Sequence, residues 1–120
     1  MGNIKESMSA LLSVDGASAA AIVDSESGMV LGKEGTSIDL DIAGAGNTEV
    51  VRAKLKTMKA LKLTKESIED MLITLSSQYH IITPLPERPA VFTYLVVEKD
   101  KGNLALARIK AKDVASQLDF

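Results

Sequence analysis

Apolar residues recur along the chain with two different periods. Ile4, Met8, Leu11 and Leu12 are spaced by four, three and one, a helical stripe that Asp15-Gly16 breaks. Residues 17–23 are small and apolar, Asp24-Ser25-Glu26-Ser27-Gly28 is dense in turn formers, and Met29-Val30-Leu31 is apolar again. Two such runs around a short loop ending in Gly predict a hairpin, with strands near 17–24 and 29–34 and Gly28 in the left-handed position. Asp39 or Asp41 then caps a helix over 42–62, because a carboxylate there accepts orphan backbone N–H groups and suits the helix dipole. Ile42, Gly46, Val50, Ala53, Thr57 and Leu61 form its stripe, which Val51, Leu55 and Met58 widen. Gly44 and Gly46 each cost about 1 kcal/mol against Ala in a helix. Close backbone approach by another element explains them, and so does a frayed helix start.

Residues 68–75, rich in Met, Leu and Ile, predict a strand. After a turn at 76–78, a second strand over 79–83 is stopped by Pro84, and 85–89, with two more prolines, is a loop. Residues 90–98 are the longest β-branched and aromatic run, which marks a central strand. After a turn at 99–102, Asn103 caps a last helix with Leu104, Ala107, Ala111, Val114 and Leu118 on one face. The predicted order is α-β-β-α-β-β-β-α. A sheet with helices on both faces buries every stripe, giving a three-layer sandwich of the α/β (α+β) class.

The 120 residues fit one domain over 1–120, with 46% apolar and 25% charged residues, a globular composition. Fourteen basic and 16 acidic residues leave a net charge of -2, which argues against a nucleic-acid partner. The absence of cysteine excludes a disulfide scaffold, a zinc ribbon and a thiol nucleophile, and the single His80 excludes a multi-histidine metal site. Aromatics at 3% leave almost no material for base stacking. No run approaches the ~18 apolar residues of a membrane helix, and 1–16 do not form a signal peptide, so the expected compartment is the cytoplasm.

No catalytic constellation emerges, and no cofactor or metal is expected. Gly32-Lys33-Glu34-Gly35-Thr36 has Glu34 where a phosphate loop needs Ser or Thr, and its charge would repel phosphate. Gly44-Ala45-Gly46 lacks the third glycine of a dinucleotide fingerprint, since Glu49 stands there. His80 reads as a structural histidine hydrogen-bonded at a sheet surface. Glu69 and Asp70, adjacent in a predicted strand, face opposite sides and cannot act as a pair.

Two surface features remain. Arg52, Lys54, Lys56, Lys59, Lys62 and Lys65 supply six of the 14 basic residues with no acid among them. Arg52, Lys56 and Lys59 share a helix face, which reads either as a solvated surface or as a docking surface for an acidic partner. The strand over 68–75 pairs on one side only, and an apolar free edge invites another chain. A homodimer therefore follows, zipped through Ile68, Met71, Leu72, Ile73 and Thr74, with Ala43, Gly46 and Val50 meeting across the two-fold axis.

With those elements in place, the chain resembles the Roadblock / dynein light chain domain family, in its bacterial form, over residues 4–118. The resemblance rests on Val14-Asp15-Gly16-Ala17 leading to Ile22-Val23-Asp24 and Ser27-Gly28-Met29-Val30-Leu31. It rests also on Leu72-Ile73-Thr74-Leu75 before Tyr79-His80-Ile81-Ile82-Thr83-Pro84-Leu85, and on Gly102-Asn103-Leu104-Ala105-Leu106-Ala107-Arg108. It departs at Thr83, where members often carry Arg before the first proline. The resemblance implies a five-stranded antiparallel sheet of order 2-1-5-4-3 and dimers through the third strand and the long helix. It also implies a non-catalytic regulator or adaptor of small Ras-like GTPases; a scaffold subunit without nucleotide dependence is the alternative. A small-molecule sensor is a third reading, with the small residues 17–21 lining its cavity.

Overall fold

The computed structural model, which describes residues 2–119, begins with α1 (Ile4–Leu12) and a hairpin of β1 (Ala17–Asp24) and β2 (Met29–Gly35). The long helix α2 (Leu40–Ala60) follows, then β3 (Met71–Thr74), β4 (Gln78–Leu85), β5 (Arg88–Glu98) and α3 (Leu104–Gln117). Every ladder is antiparallel, and the strands lie in the order β2-β1-β5-β4-β3. Element order and strand order match those expected. Gly28 takes a φ of 78° in the first turn, a conformation that Gly adopts without steric cost.

Alternation along the central strands sends side chains to two cores. Ala20, Ile22, Ile81, Leu95 and Val97 meet Met8 and Leu11 of α1 and Ala107, Ala111 and Val114 of α3. Ala19, Ala21, Val23, Ile82, Phe92, Tyr94 and Val96 meet Leu40 and Val51 of α2. The result is α1 and α3 on one face and α2 on the other. Ala19, Ala20 and Ala21 are all fully buried and pack the core.

The caps form as the residue types dictate. Asp39 Oδ1 accepts from the backbone N–H of Asp41 and Ile42 at 3.0 and 3.1 Å, and Asn103 Oδ1 from Leu106 at 3.1 Å. With Asp39 as cap, α2 begins at Leu40 and ends at Ala60, two residues ahead of the predicted span at each end.

Three expectations fail for physical reasons. The strand predicted over 68–75 shrinks to Met71–Thr74, because the acids before it are captured by α3. Arg108 holds both Asp70 carboxylate oxygens, at 2.8 and 2.9 Å, and Lys112 reaches Glu69 at 3.4 Å. Ile68 therefore lies in the link to β3, outside any ladder. Pro84 does not stop β4: β3 reaches only to Ile82, so β4 is an edge strand from Thr83 onward and tolerates a residue without an N–H. The predicted loop at 85–89 shortens accordingly to the turn at 86–87.

The third correction concerns α2. Its buried residues are Leu40, Gly44, Thr48, Val51 and Met58, whereas Ile42 is 71% and Val50 40% exposed. The stripe through Ile42, Gly46 and Val50 turns away from the helix's own sheet. Gly44 lets α2 approach: a Cβ there would stand 2.6 Å from Val30 Cγ2 and 3.5 Å from Val23 Cγ2.

Candidate functional site

At 3.6 residues per turn, α2 presents two flanks besides its buried face. Arg52, Lys56 and Lys59 project on the flank nearest the β1–β2 hairpin, where Arg52 donates to the Glu26 carbonyl at 2.8 Å. Arg52 also contacts Glu49 at 3.5 Å, leaving Lys56 and Lys59 as exposed charges beside it. Ala43, Gly46 and Val50 lie on the other flank, next to Asn47, whose amide hydrogen-bonds the Tyr94 hydroxyl of β5. That flank looks toward β4 and β3.

β3 is the last strand of the sheet, and among the described residues no strand pairs with its outer edge. The edge at the opposite end, β2, carries Lys33 and Glu34, charges of the kind that blunt an edge. β3 reads Met-Leu-Ile-Thr and carries none. Met71 and Ile73 are half-buried on the α2 side, opposite Ile82 and His80, while Leu72 is 36% exposed and Thr74 is also exposed. Ala43, Gly46 and Val50 thus share one side of the molecule with β3. Ile68 stands apart from that group, and Arg52, Lys56 and Lys59 occupy the far flank.

A polar chain ties α2 to this margin. The Tyr94 hydroxyl donates to His80 Nδ1 at 2.9 Å, and His80 Nε2–H donates to Gln78 Oε1, so the neutral Nε2–H tautomer satisfies both partners. Burial lowers the His80 pKa from 6.5, with Glu98 opposing, and burial raises that of Tyr94. Because the folded chain resists protonating His80 while the unfolded chain does not, its contribution is present above pH ~6.5 and is lost as pH falls toward the lowered folded value. Urea unfolding midpoints should therefore fall on acidification below pH 6.5, and His80→Gln should flatten that part of the profile. An unchanged slope in the variant would show that His80 does not carry it.

Sequence reasoning identified His80 as structural but missed Tyr94 as its partner, and Asn47 as the partner of Tyr94, since no spacing links positions on different elements. It also missed the Asp70–Arg108 clamp. The available signal was the pair Arg108 and Lys112 at i and i+4 on one helix, matching two adjacent acids. Among the described residues no cluster of three or more His, Cys, Asp or Glu could hold a metal ion, and no helix is long and apolar enough to cross a membrane.

No protein-family model and no curated protein matches the chain. Solved structures do. MglB of Myxococcus xanthus superposes with a TM-score of 0.78 at 15% identity, over 94% of this chain and 84% of that one. A Roadblock/LC7 domain from Streptomyces avermitilis gives 0.78 at 12% identity, over 94% and 92%. A structure of MglB with tetrameric arrangement gives 0.79 at 17% identity, over 94% and 82%. A helix–sheet–helix sandwich around a five-stranded antiparallel sheet of order β2-β1-β5-β4-β3 defines the class. The chain has the Roadblock-type fold.

Proposed function

We propose that the protein is a cytoplasmic, non-catalytic homodimer that regulates or localises a small Ras-like GTPase. The observation that carries this reading is the coincidence of the uncharged β3 edge with the outward residues Gly46 and Val50, beside the half-buried Ala43, on one side of the chain. Pairing β3 with its copy joins two sheets into one and brings the two α2 helices side by side, with Gly46 open for close approach. Their far flanks then carry a basic patch of Arg52, Lys56 and Lys59 on each outer side of the pair, suited to an acidic protein surface. The tetrameric MglB structure is in keeping with self-association in this fold. Arg52 is already engaged by Glu26 and Glu49, which supports a role in holding the partner rather than supplying charge to a reacting phosphate.

Pull-downs with GTP-locked and GDP-locked small GTPases test the reading, and indifference of every such GTPase would end it. Binding should weaken as salt rises, and the double variant Lys56→Glu/Lys59→Glu should raise the partner Kd about tenfold or more through like-charge repulsion. Equal affinity of parent and variant in titration calorimetry would move the interface elsewhere.

A further inference from the structure

The single histidine of the chain stands where the two halves of the proposed seam meet. On β4, His80 is the cross-strand partner of Ile73 at the free edge. Through the Tyr94 hydroxyl it also reaches Asn47, on the α2 flank that carries Ala43, Gly46 and Val50. The ring is half-buried, so protons reach it from solvent in the single chain. Among side chains, histidine alone has an ordinary pKa that changes its charge between about pH 5 and 8.

Every hydrogen of this relay is committed while His80 is neutral. Asn47 Nδ2 donates to the Ala43 carbonyl at 2.8 Å and to the Tyr94 oxygen. The Tyr94 hydroxyl donates to His80 Nδ1 at 2.9 Å, and His80 Nε2–H donates to Gln78 Oε1. A proton arriving at Nδ1 turns that acceptor into a donor. Tyr94 then faces two donors, and its own hydrogen has no acceptor. Turning the Asn47 amide over would supply one, but the amide oxygen would then stand against the Ala43 carbonyl, where two acceptors repel. One of the two Asn47 bonds must break, within a turn of Gly46 and Val50 on α2.

The charges around the ring do not offset the added proton. Glu98 of β5, diagonal to His80 on the same face, favours it, and burial outweighs Glu98. β3 carries no titratable side chain. α2 contributes Lys54, on the flank of Asn47 about two turns further on, which repels a cation. Lys99 is held over the ring of Tyr79, which points to the opposite face of β4.

We propose that His80 is a proton sensor of the assembly: its protonation, passed through Tyr94 to Asn47, loosens the α2 flank and dissociates the dimer. Because it acts on the β3–α2 dimer proposed above, the device exists only if that dimer does. Pairing covers Ile73 and with it His80, so a protonated chain must shed its proton to assemble. By linkage the proton opposes assembly, and the dimer is strongest above the free-chain pKa of His80 and weakens as pH falls through it.

Sedimentation velocity over a dilution series gives the dimer Kd at about pH 7.5 and about pH 5, a range in which His80 titrates and carboxylates stay largely ionised. The parent Kd is expected to rise about tenfold or more on acidification. His80→Gln can accept from Tyr94 but takes up no proton, and its Kd should be nearly the same at both values. Tyr94→Phe should leave the ring titrating yet lose most of the rise, because the proton no longer reaches Asn47. The NMR titration midpoint of the His80 ring should be lower in concentrated than in dilute parent, a readout that needs no variant to fold. A dimeric parent with one Kd at both pH values would overturn the sensor and leave the dimer standing, whereas a parent monomeric at every concentration would overturn both. An undiminished rise in His80→Gln, or in Tyr94→Phe, would also overturn the proposal, the first by moving the titration to other groups and the second by removing the relay.

Discussion

Ile73→Asp should convert the protein to a monomer at concentrations where the parent chain is a dimer, raising the dimer Kd about 100-fold or more. Ile73 is half-buried on the α2 side of β3, opposite His80, and β3 has no neighbour on its outer edge. In a two-fold pairing of β3 with its copy, the variant carboxylates enter the same seam as like charges, taken from water without a cation to meet them. An inward-pointing charge is also the device by which natural edge strands refuse partners. Within one chain the cost is smaller, because position 73 keeps access to solvent. Circular dichroism should thus report an intact fold while sedimentation velocity reports the smaller species. An unchanged sedimentation coefficient in the variant would remove β3 from the interface and with it the paired arrangement of the two basic patches.

The elements that could be read from the sequence are those whose side chains face one environment. α1 and the first hairpin have a single apolar face or a single turn signal, α3 has its Asn103 cap and small-residue stripe, and each appears close to its predicted place. α2 has two apolar flanks, and periodicity alone does not say which one meets the chain's own sheet. The larger residues Ile42 and Val50 drew the reading outward, while the true contact runs through Gly44 and Thr48, small residues that allow a close approach. Thr48 hides its hydroxyl by donating to the Gly44 carbonyl at 2.8 Å, so a polar letter occupies a core position with its hydrogen bond satisfied. The strand order was legible only through the family resemblance, since hairpins fix the neighbours of β1 and β4 but not the pairing of β1 with β5. The late start of β3 was invisible because two ion pairs set it from 38 and 43 residues away in sequence.

The two glycines of α2 that looked equivalent in the sequence should respond in opposite directions. At Gly44 a Cβ meets Val30 Cγ2 at 2.6 Å and the Val23 methyls at 3.5 and 3.8 Å, so Gly44→Leu forces a side chain into a filled layer. Overpacking of that kind costs about 1–3 kcal/mol or more, against which better helix propensity returns about 1 kcal/mol. Against the 5–15 kcal/mol that holds a domain together, the net loss should appear as a clearly lowered urea midpoint. At Gly46 a Cβ meets nothing within 4 Å, and Gly46→Ala should stabilise the isolated fold by about 1 kcal/mol through propensity alone. A glycine kept at an exposed helical position at that cost points to something the single chain does not contain. If the neighbouring α2 of a second copy is that element, Gly46→Trp should leave the monomer fold intact and abolish the dimer, with Ile42 and Val50 still in place. A Gly46→Trp chain that sediments as the parent dimer would place the helix approach elsewhere. Gly46→Ala tightening the dimer together with the fold would show instead that one methyl fits between the helices.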